Sequence, residues 1–378
     1  MFMRPFEWTG KKILMILPTW DSTYRNKNVG KIITVLLLRQ ANLTVYCRTS
    51  GDVSDIKDFT GNKIKVESSK SVFPLVAFVK LLRSRKFDLV LWTYGGYYEN
   101  VVLLLCRLFH GPRYVIKSDS RLHYPLNSLK KIFSMLILFL LPGKCADLVV
   151  VETSEIEKKA ARLYKRNKLY LLPNGVPVSR FKQLKKDFAL EASPLKMPYI
   201  LCPRRICHEK GVDLLIESFA LVSAHIPDWN VEIVGPVWDK NYYEYCRRLV
   251  QSHGLESRVH FHPEKKGMDF YRFYNFSDFC VLPSRKEGLA NILPEAMYFG
   301  NPVVAFDIGQ TRSIINDNTG ILVPAEDTKA FADAIFKLAS NNSMRSAMAA
   351  KLPEFIERNY NDEVLLESFL KRCEELPL

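Results

Sequence analysis

The stretch Ser284–Gly300, S-R-K-E-G-L-A-N-I-L-P-E-A-M-Y-F-G, decides the fold of this chain. The apolar run D-F-C-V-L-P (278–283) precedes it, and P-V-V-A-F-D (302–307) follows it. Both runs predict buried strands, and the stretch between them predicts a loop and then a helix that begins near Asn291. Strand, loop, helix and strand in this order form one βαβ unit of a parallel sheet.

The same alternation extends along the chain in both directions. Strand-like apolar runs separated by amphipathic helices lie at 11–18, 43–49, 87–93, 113–119, 146–153 and 168–173, and again at 199–203, 231–235 and 258–262. Two successive parallel sheets predict an α/β protein with two Rossmann-like domains that face each other across a cleft. In such sheets, ligands bind at the carboxyl ends of the strands.

Changes in amino-acid composition along the chain predict the domain boundaries. Residues 1–175 are expected to form the first domain and residues 199–352 the second. Residues 176–198 are rich in Pro, Gly and Lys with few periodic apolar positions, which predicts a linker. Residues 353–378 are expected to form a terminal helix that packs back towards the first domain.

Composition limits the class of protein. The 378 residues are 48% hydrophobic and 25% charged, which excludes a disordered chain, a collagen-like repeat and a small disulfide scaffold. No apolar run approaches the ~20 residues of a membrane span, and the first residues contain no apolar segment typical of a signal peptide. Eight scattered cysteines without a C-x-x-C pair predict reduced thiols in a cytoplasmic protein.

Charge is distributed unevenly between the two halves. Residues 1–190 contain 33 Lys and Arg against 14 Asp and Glu, whereas residues 191–378 contain 21 against 26. A basic first half is compatible with a nucleic acid, an anionic membrane or an anionic substrate, or with no specific target.

Two predicted loops carry groups that suit a phosphorylated sugar. Arg205 and Lys210 lie between a strand and a helix, where two cations can clamp a diphosphate. Glu287 lies in the loop before the helix that carries Glu295, and carboxylates accept hydrogen bonds from sugar hydroxyls. The backbone N–H groups of Asn291 and Ile292 begin that helix and can bind phosphate.

These motifs together resemble the donor-binding domain of retaining GT-B glycosyltransferases, specifically glycosyltransferase family 4. The similar pieces run in the family's order over about 150 residues: P-N-G-V (173–176), R-x4-K-G (205–211), V-E-I-V-G (231–235), E-G-L-A-N-I-L-P-E-A-M (287–297), G-N-P-V-V-A (300–305) and N-T-G-I-L-V-P (318–324). The first half is similar only in its βαβ rhythm.

The resemblance implies a role for each matching residue. Arg205 and Lys210 would neutralise the leaving diphosphate of a nucleotide-sugar, Glu287 would hold donor-sugar hydroxyls, and Glu295 would hold the ribose. The backbone N–H groups of Asn291 and Ile292 would cradle the phosphates, and Gly235 would let the backbone approach the nucleotide. Asn174 and Gly175 would shape the floor of the cleft.

The chain also departs from the family. Many members have Gly where this chain has Arg204, and many have a Gly-Gly loop after the first strand, of which only Gly30 is left here. On the acceptor side, Asp119 and His123 are the candidates to approach the donor sugar. A turn or capping role for Asp119 and a packing or surface role for His123 remain alternatives. Tyr94, Tyr97 and Tyr98 either stack on a sugar or cover the sheet.

The activity that follows is metal-independent transfer of a hexose or N-acetylhexosamine, with retained configuration, from a nucleotide-sugar to a hydroxyl of a glycan or lipid-linked acceptor. UDP-sugars are the expected donors and GDP-mannose is the alternative, with a place in cell-envelope polysaccharide or glycolipid synthesis. No cofactor, metal or nucleic acid is expected. Glu287→Ala and Lys210→Ala are each expected to abolish most transfer and to leave the fold intact.

Attachment to the inner face of the membrane is expected from an apolar helix and nearby basic clusters. The helix is 126–141, with burial under the sheet as the alternative reading, and the clusters are Arg83, Arg85 and Lys86, and Lys158, Lys159, Arg162, Lys165, Arg166 and Lys168. Rival functions are a GT-B-fold sugar-nucleotide epimerase or hydrolase, a basic nucleic-acid-binding protein and an inactive scaffold.

Overall fold

The chain divides into two compact units, and the last residues return to the first of them. In this computed structural model, unit 1 comprises Met1–Asn174 and Val364–Leu378, and unit 2 comprises Gly175–Glu363. The structure describes residues 8–17, 28–47, 65–68, 87–93, 113–117, 145–189, 191, 198–287, 291–309 and 311–376.

Unit 1 contains a seven-stranded sheet in the order β3-β2-β1-β4-β5-β6-β7. Its strands are β1 (Lys12–Leu17), β2 (Asn42–Cys47), β3 (Lys65–Ser68), β4 (Leu89–Thr93), β5 (Arg113–Lys117), β6 (Leu148–Val151) and β7 (Leu169–Leu171). All neighbours pair in parallel, with Ile13 opposite both Leu43 and Leu89. Helices α1 (Asn28–Leu38) and α2 (Ser154–Ala160) belong to this unit.

Unit 2 contains a six-stranded parallel sheet in the order β10-β9-β8-β11-β12-β13. Its strands are β8 (Tyr199–Cys202), β9 (Asn230–Val234), β10 (Val259–His262), β11 (Phe279–Leu282), β12 (Val303–Phe306) and β13 (Gly320–Val323). Its helices are α3 (Val178–Phe188), α4 (Val212–Val222), α5 (Lys240–Ser252), α6 (Met268–Phe276), α7 (Ile292–Tyr298), α8 (Thr328–Ser340) and α9 (Asn342–Asn359).

Burial on both faces explains why the strands are continuous apolar runs. One face of the second sheet contributes Ile200, Ile233 and Val281 to a core with helices α4, α5 and α8. The opposite face contributes Leu201, Leu282 and others to a second core with α3, α7 and α9. Successive side chains of a strand point to opposite faces of the sheet, and here helices cover both faces. No face is solvated, so nearly every strand position must be apolar.

The expected α/β architecture with two parallel sheets is confirmed. Every strand predicted from the sequence lies where a strand is observed, with boundaries that differ by one or two residues. Strands β3 (K-V-E-S) and β13 (G-I-L-V) were not predicted from the sequence. The apolar helix predicted over 126–141 lies outside the described residues, as do the amphipathic helices that the alternation of strands and helices predicts over 72–85 and 101–109.

The stretch predicted as a linker contains a helix instead. Helix α3 buries Phe181, Leu184 and Phe188, spaced three and four residues apart, in the core of unit 2. The intervening lysines hide this apolar stripe in the composition. Lys182 and Lys186 are exposed, and Lys185 is half-buried.

The C-terminal helical region is also longer and more divided than predicted. Pro353 lies inside α9, which begins at Asn342 where the Asn341 side chain accepts a hydrogen bond from Met344 N at 2.9 Å. A separate helix, α10 (Asp362–Glu374), follows. Its apolar residues Leu366, Phe369 and Leu370 lie in the core of unit 1 with Ile13 and Val45.

Gly175 marks the start of unit 2 and is tightly enclosed. A Cβ atom at this position would lie 2.7 Å from the Cα atom of Asp362. Val176 N donates to Tyr360 O at 2.8 Å, and Asp362 N donates to Val176 O at 3.1 Å. The two segments of unit 2 nearest the unit boundary are therefore joined backbone to backbone.

Candidate donor-binding site

Two loops at the carboxyl edge of the second sheet form the candidate site. The first follows β8 and runs from Pro203 to Gly211, and the second follows β11 and runs from Pro283 to Glu287. Strands β8 and β11 are neighbours in the sheet, so the loops emerge side by side. This is the edge at which ligands bind in parallel α/β sheets.

The centre of the site is the carboxylate of Glu287, whose side chain is only 6% exposed. Lys210 Nζ donates to Glu287 Oε1 at 2.8 Å and to Lys286 O at 3.1 Å. Arg204 forms an ion pair with the same oxygen and donates from Nη2 to Ser284 Oγ at 3.0 Å. Two nearly buried cations therefore share one carboxylate.

Burial perturbs both cations. The pKa of Lys210 is lowered to about 8, first by desolvation and then by the positive charges of Arg204 and Arg205. Desolvation also lowers the pKa of Arg204 to about 10. A site with more buried positive than negative charge is costly without an anion, because transfer of a charge out of water is only repaid by close partners.

Arg205 occupies a different place from the one its spacing to Lys210 suggested. Its guanidinium lies 4.0 Å from the ring centroid of Trp238, which is 66% exposed, and 3.6 Å from Glu209 Oε2. Its Nε atom is buried without a hydrogen-bond partner in the described part of the chain. In this structure the second cation on Glu287 is thus Arg204 and not Arg205.

Gly235 brings the end of β9 against the same loop. A Cβ atom on Gly235 would lie 2.2 Å from the carbonyl oxygen of Arg204. Next to this contact, Ile206 N donates to Pro236 O at 2.8 Å and Trp238 N donates to Ile206 O at 3.1 Å. Gly235 was expected to let the backbone approach a nucleotide. In this structure it lets the end of β9 approach the backbone of Arg204.

A polar network absent from the sequence predictions holds the two loops from behind. Asp213, buried on the first turn of α4, receives two hydrogen bonds from Arg285, at 2.8 and 2.7 Å, and one from Tyr242 Oη at 2.5 Å. Burial opposes ionisation of Asp213, but these donors hold its pKa below the ordinary value. In the sequence, the one sign of this network is an aspartate, Asp213, within the apolar helical run V-D-L-L-I (212–216).

Helix α7 begins at the expected place and carries Glu295. Tyr274 Oη lies 3.4 Å from Glu295 Oε2, at the limit for a hydrogen bond, and Glu295 is half-buried. Asn291 precedes the helix, and its Oδ1 atom is buried with no hydrogen-bond partner among the described residues. Ile292 is half-buried at the first position, where backbone N–H groups have no partner within the helix.

The remaining candidates lie in or near unit 1. Gly30 is the third residue of α1, and its carbonyl accepts from Thr34 Oγ1 at 3.0 Å. Asn174 is half-buried at the last position of the first segment of unit 1. Strand β5 ends at Lys117, which forms a largely buried ion pair with Glu152 after β6. Tyr94, Tyr97, Tyr98, Asp119 and His123 lie outside the described residues.

The described residues contain neither a cluster of metal ligands nor a membrane-spanning helix. No group of three His, Cys, Asp or Glu side chains in those ranges could hold a metal ion. None of the helices in the same ranges is both long and apolar enough to cross a bilayer.

Comparison with known proteins finds a family profile that matches the part of the chain carrying this site. Residues 184–354 match the sequence profile described as "Glycosyl transferases group 1". The match contains both loops of the site and helix α7. This part of the chain is therefore similar to group 1 glycosyltransferase domains, and the chain as a whole has the GT-B fold.

Three relatives illustrate the range of similarity. The capsular polysaccharide biosynthesis glycosyltransferase CapM of Staphylococcus aureus is 24% identical over 61% of this chain and 64% of that protein. The lipopolysaccharide core biosynthesis mannosyltransferase LpsB of Rhizobium meliloti is 30% identical over 187 residues, 47% of this chain and 52% of that protein. The amylovoran biosynthesis glycosyltransferase AmsD of Erwinia amylovora is 24% identical over 93% of this chain and 99% of that protein. The chain spans about half the length of several of the curated relatives it matches.

Solved structures extend the likeness to the whole chain. The structure of HepE from Anabaena in complex with UDP has a TM-score of 0.78 and 16% identity, and the match covers 97% of this chain and 100% of that one. At this level of identity, the likeness establishes the fold alone.

Proposed function

We propose that the protein is a retaining glycosyltransferase of family 4 that transfers a hexose or N-acetylhexosamine from a nucleotide-sugar to a hydroxyl of a glycan or lipid-linked acceptor. The observation that carries the proposal is the excess of buried positive charge around Glu287. Arg204 and Lys210 contact that carboxylate, and Arg205 lies on the same loop. A diphosphate is the anion whose charge and size suit three cations on one loop.

The reaction needs stabilisation of a departing diphosphate. As the sugar–phosphate bond breaks, negative charge accumulates on the phosphate oxygens and positive charge on the sugar ring. Cations fixed in place before the reaction stabilise this charge without reorganisation, which is often the largest single contribution to catalysis. Lys210 is held by Glu287 and by Lys286 O, so its ammonium group is already oriented.

Retention of configuration and independence of metal follow from the same assignment. The acceptor hydroxyl would attack the face from which the diphosphate leaves and would give its proton to the departing phosphate oxygen. The chain's own cations would neutralise the diphosphate, and no protein nucleophile is required. Glu287 would accept hydrogen bonds from the donor sugar and Glu295 from the ribose.

UDP-sugars are the proposed donors, with GDP-mannose as the alternative. Support comes from the fold shared with HepE, whose structure is described in complex with UDP. The relatives named for lipopolysaccharide core, amylovoran and capsular polysaccharide biosynthesis support a cell-envelope glycan or glycolipid as the acceptor class.

A thermal-shift panel tests the donor site. Nucleoside diphosphates and nucleotide-sugars are added to the protein with EDTA, next to a Lys210→Met variant as control. Saturating ligand at 100 times its Kd adds about 2.7 kcal/mol to stability. We expect a rise of about 5 °C with one base class, retained in EDTA and lost in the variant.

Other outcomes separate the alternatives. No rise with any nucleotide would contradict the donor assignment, and a rise abolished by EDTA would contradict metal independence. With the active donor, the configuration of the product sugar is read by NMR coupling constants. Inversion, or release of an epimer or free sugar without acceptor, would exclude retaining transfer.

We further propose that the protein is cytoplasmic and attaches peripherally to the inner face of the membrane. Lys158, Arg162, Lys165 and Arg166 are all exposed on a short segment of unit 1. Each such residue near anionic lipid contributes about 1 kcal/mol. Sedimentation with phosphatidylglycerol vesicles should fall on reversal of these four charges and not on reversal of the exposed Arg247 and Arg248. Equal binding to neutral vesicles would exclude this attachment.

A further inference from the structure

Arg204 is the least expected component of the site. Its side chain is 9% exposed and lies in the loop after β8, where its own N–H donates to Cys202 O at 3.0 Å. Its contacts indicate what Arg204 does in the site.

The contacts of Arg204 converge on one carboxylate. Nη2 bonds Ser284 Oγ, a fully buried hydroxyl, and forms the ion pair with Glu287 Oε1. Lys210 Nζ binds the same Oε1 atom. We propose that Arg204 is a positioning residue that, through Glu287, sets how strongly the site distinguishes a nucleotide-sugar from the bare nucleoside diphosphate.

Charge balance shows that Arg204 is not needed to neutralise Glu287. Lys210 already supplies one positive charge at 2.8 Å. A second buried cation on the same oxygen costs desolvation, and its Nε atom is buried with no hydrogen-bond partner among the described residues. A purely structural arginine would use its donors more fully, as Arg258 does on the backbone carbonyls of Ser223, Ile226 and Trp229.

Orientation is what the second cation adds. A lysine ammonium is a point charge that allows the carboxylate to rotate, whereas a guanidinium anchored on Ser284 fixes the direction of approach. Both cations engage Oε1, and none of the described residues is seen to bond Oε2. A carboxylate fixed by one oxygen presents the other to a sugar hydroxyl. This role rests on the proposed function.

A double-mutant cycle measured by calorimetry tests the inference. UDP, UDP-glucose, UDP-N-acetylglucosamine, GDP and GDP-mannose are titrated into the wild type, Arg204→Met, Glu287→Gln and the double variant. Arg204→Met keeps the aliphatic stem and leaves Glu287 paired with Lys210. We expect it to weaken the nucleotide-sugar about tenfold more than the matching diphosphate in the wild-type background, and less than about twofold more in the Glu287→Gln background.

Two further variants guard against a simple folding defect. Arg204→Lys keeps a positive charge but loses the anchored fork, and should show an intermediate loss of sugar discrimination. Arg258→Met removes a structural arginine of the same unit, and should lower thermal stability without changing the ratio of the two affinities.

A second readout reports the charge of Arg204 directly. Removal of a neighbouring cation eases protonation of Lys210, so the alkaline loss of diphosphate binding should move to higher pH in Arg204→Met and stay in place in Arg204→Lys. If the pH at which diphosphate binding is lost is the same in Arg204→Met as in the wild type, the arrangement in which Arg204 and Lys210 share the Glu287 carboxylate is wrong.

The failures are distinguishable. If the wild type binds no nucleotide, both the proposed function and this inference fall. If the wild type binds, but Arg204→Met weakens sugar and diphosphate ligands equally or has the same effect without Glu287, this inference alone is wrong.

Discussion

Gly211 and Pro283 are in backbone contact: a Cβ atom on Gly211 would lie 1.9 Å from the carbonyl oxygen of Pro283. Gly211 follows Lys210, and Pro283 begins the loop that leads to Glu287. Gly211 also adopts φ +62°, a left-handed conformation that favours glycine. The distance between Lys210 and Glu287 is therefore set by a backbone approach that only glycine permits.

The first prediction concerns this contact. Gly211→Ala should separate the two loops and weaken diphosphate binding by at least about tenfold, because the alanine Cβ overlaps a backbone oxygen that cannot rotate away. Gly254→Ala is the matched control, since Gly254 has φ +63° with open space around it. The control should cost only about 1 kcal/mol of strain in urea unfolding and leave binding unchanged. Equal effects of the two changes would show that the contact does not shape the site.

The second prediction concerns Glu287. Sequence alone indicated that Glu287→Ala leaves the fold intact, but the structure changes this expectation because the substitution leaves Arg204 and Lys210 buried without their carboxylate. We expect a loss of about 3 kcal/mol in urea unfolding. Glu256→Ala, an exposed control on unit 2, should be neutral. Inorganic pyrophosphate should restore part of the lost stability, since it binds the folded state. Unchanged stability of Glu287→Ala would contradict the buried pairing.

The third prediction is a pH dependence of diphosphate binding. Below pH 8 the ammonium of Lys210 is charged, and above its lowered pKa of about 8 the ligand-free site loses that charge. Binding must then take up a proton, so Kd should rise up to about tenfold per pH unit above 8. Calorimetry in buffers of different ionisation enthalpy measures the proton uptake. Lys210→Arg, whose guanidinium stays charged, should bind independently of pH over this range. A similar slope in that variant would assign the titration to another group.

The fourth prediction concerns the network behind the loops. Asp213→Asn removes the charge that receives two hydrogen bonds from Arg285 and one from Tyr242. Because Arg285 is largely buried, we expect a loss of about 3 kcal/mol in urea unfolding. Asp333→Asn, an exposed aspartate on α8, should change stability by less than about 0.5 kcal/mol.

The stability that this network contributes should decrease at acid pH. The pKa of Asp213 is lower in the folded protein than in the unfolded chain, so its contribution is complete above the unfolded pKa. It is lost as pH falls through the folded value. Asp213→Asn should therefore reduce the stability difference between neutral and acid pH. If Asp213→Asn loses as much stability between neutral and acid pH as the wild type does, Asp213 is not the source of that loss.

The strands and most helices of the second unit could be predicted from sequence because their signal is local. Residues such as Ile200, Val281 and Val304 lie in apolar runs that only a strand buried on both faces requires. The helix α3 was missed because its lysines dominate the composition, although Phe181, Leu184 and Phe188 carry the helical period. The break between α9 and α10 was missed because Tyr360 and Asn361 are fixed by Val176, far away in sequence.

By itself, the sequence determined that two parallel sheets follow one another and that Lys210 and Glu287 lie in loops at the same sheet edge. Both conclusions rest on periodicity and on parallel connectivity, which neighbouring residues encode. The tertiary structure decided which arginine reaches Glu287. Arg204 and Arg205 are adjacent in an irregular loop with no period to orient them. Contacts with Ser284 and with Trp238, 80 and 33 positions away, direct one side chain inward and stack the other against an exposed ring.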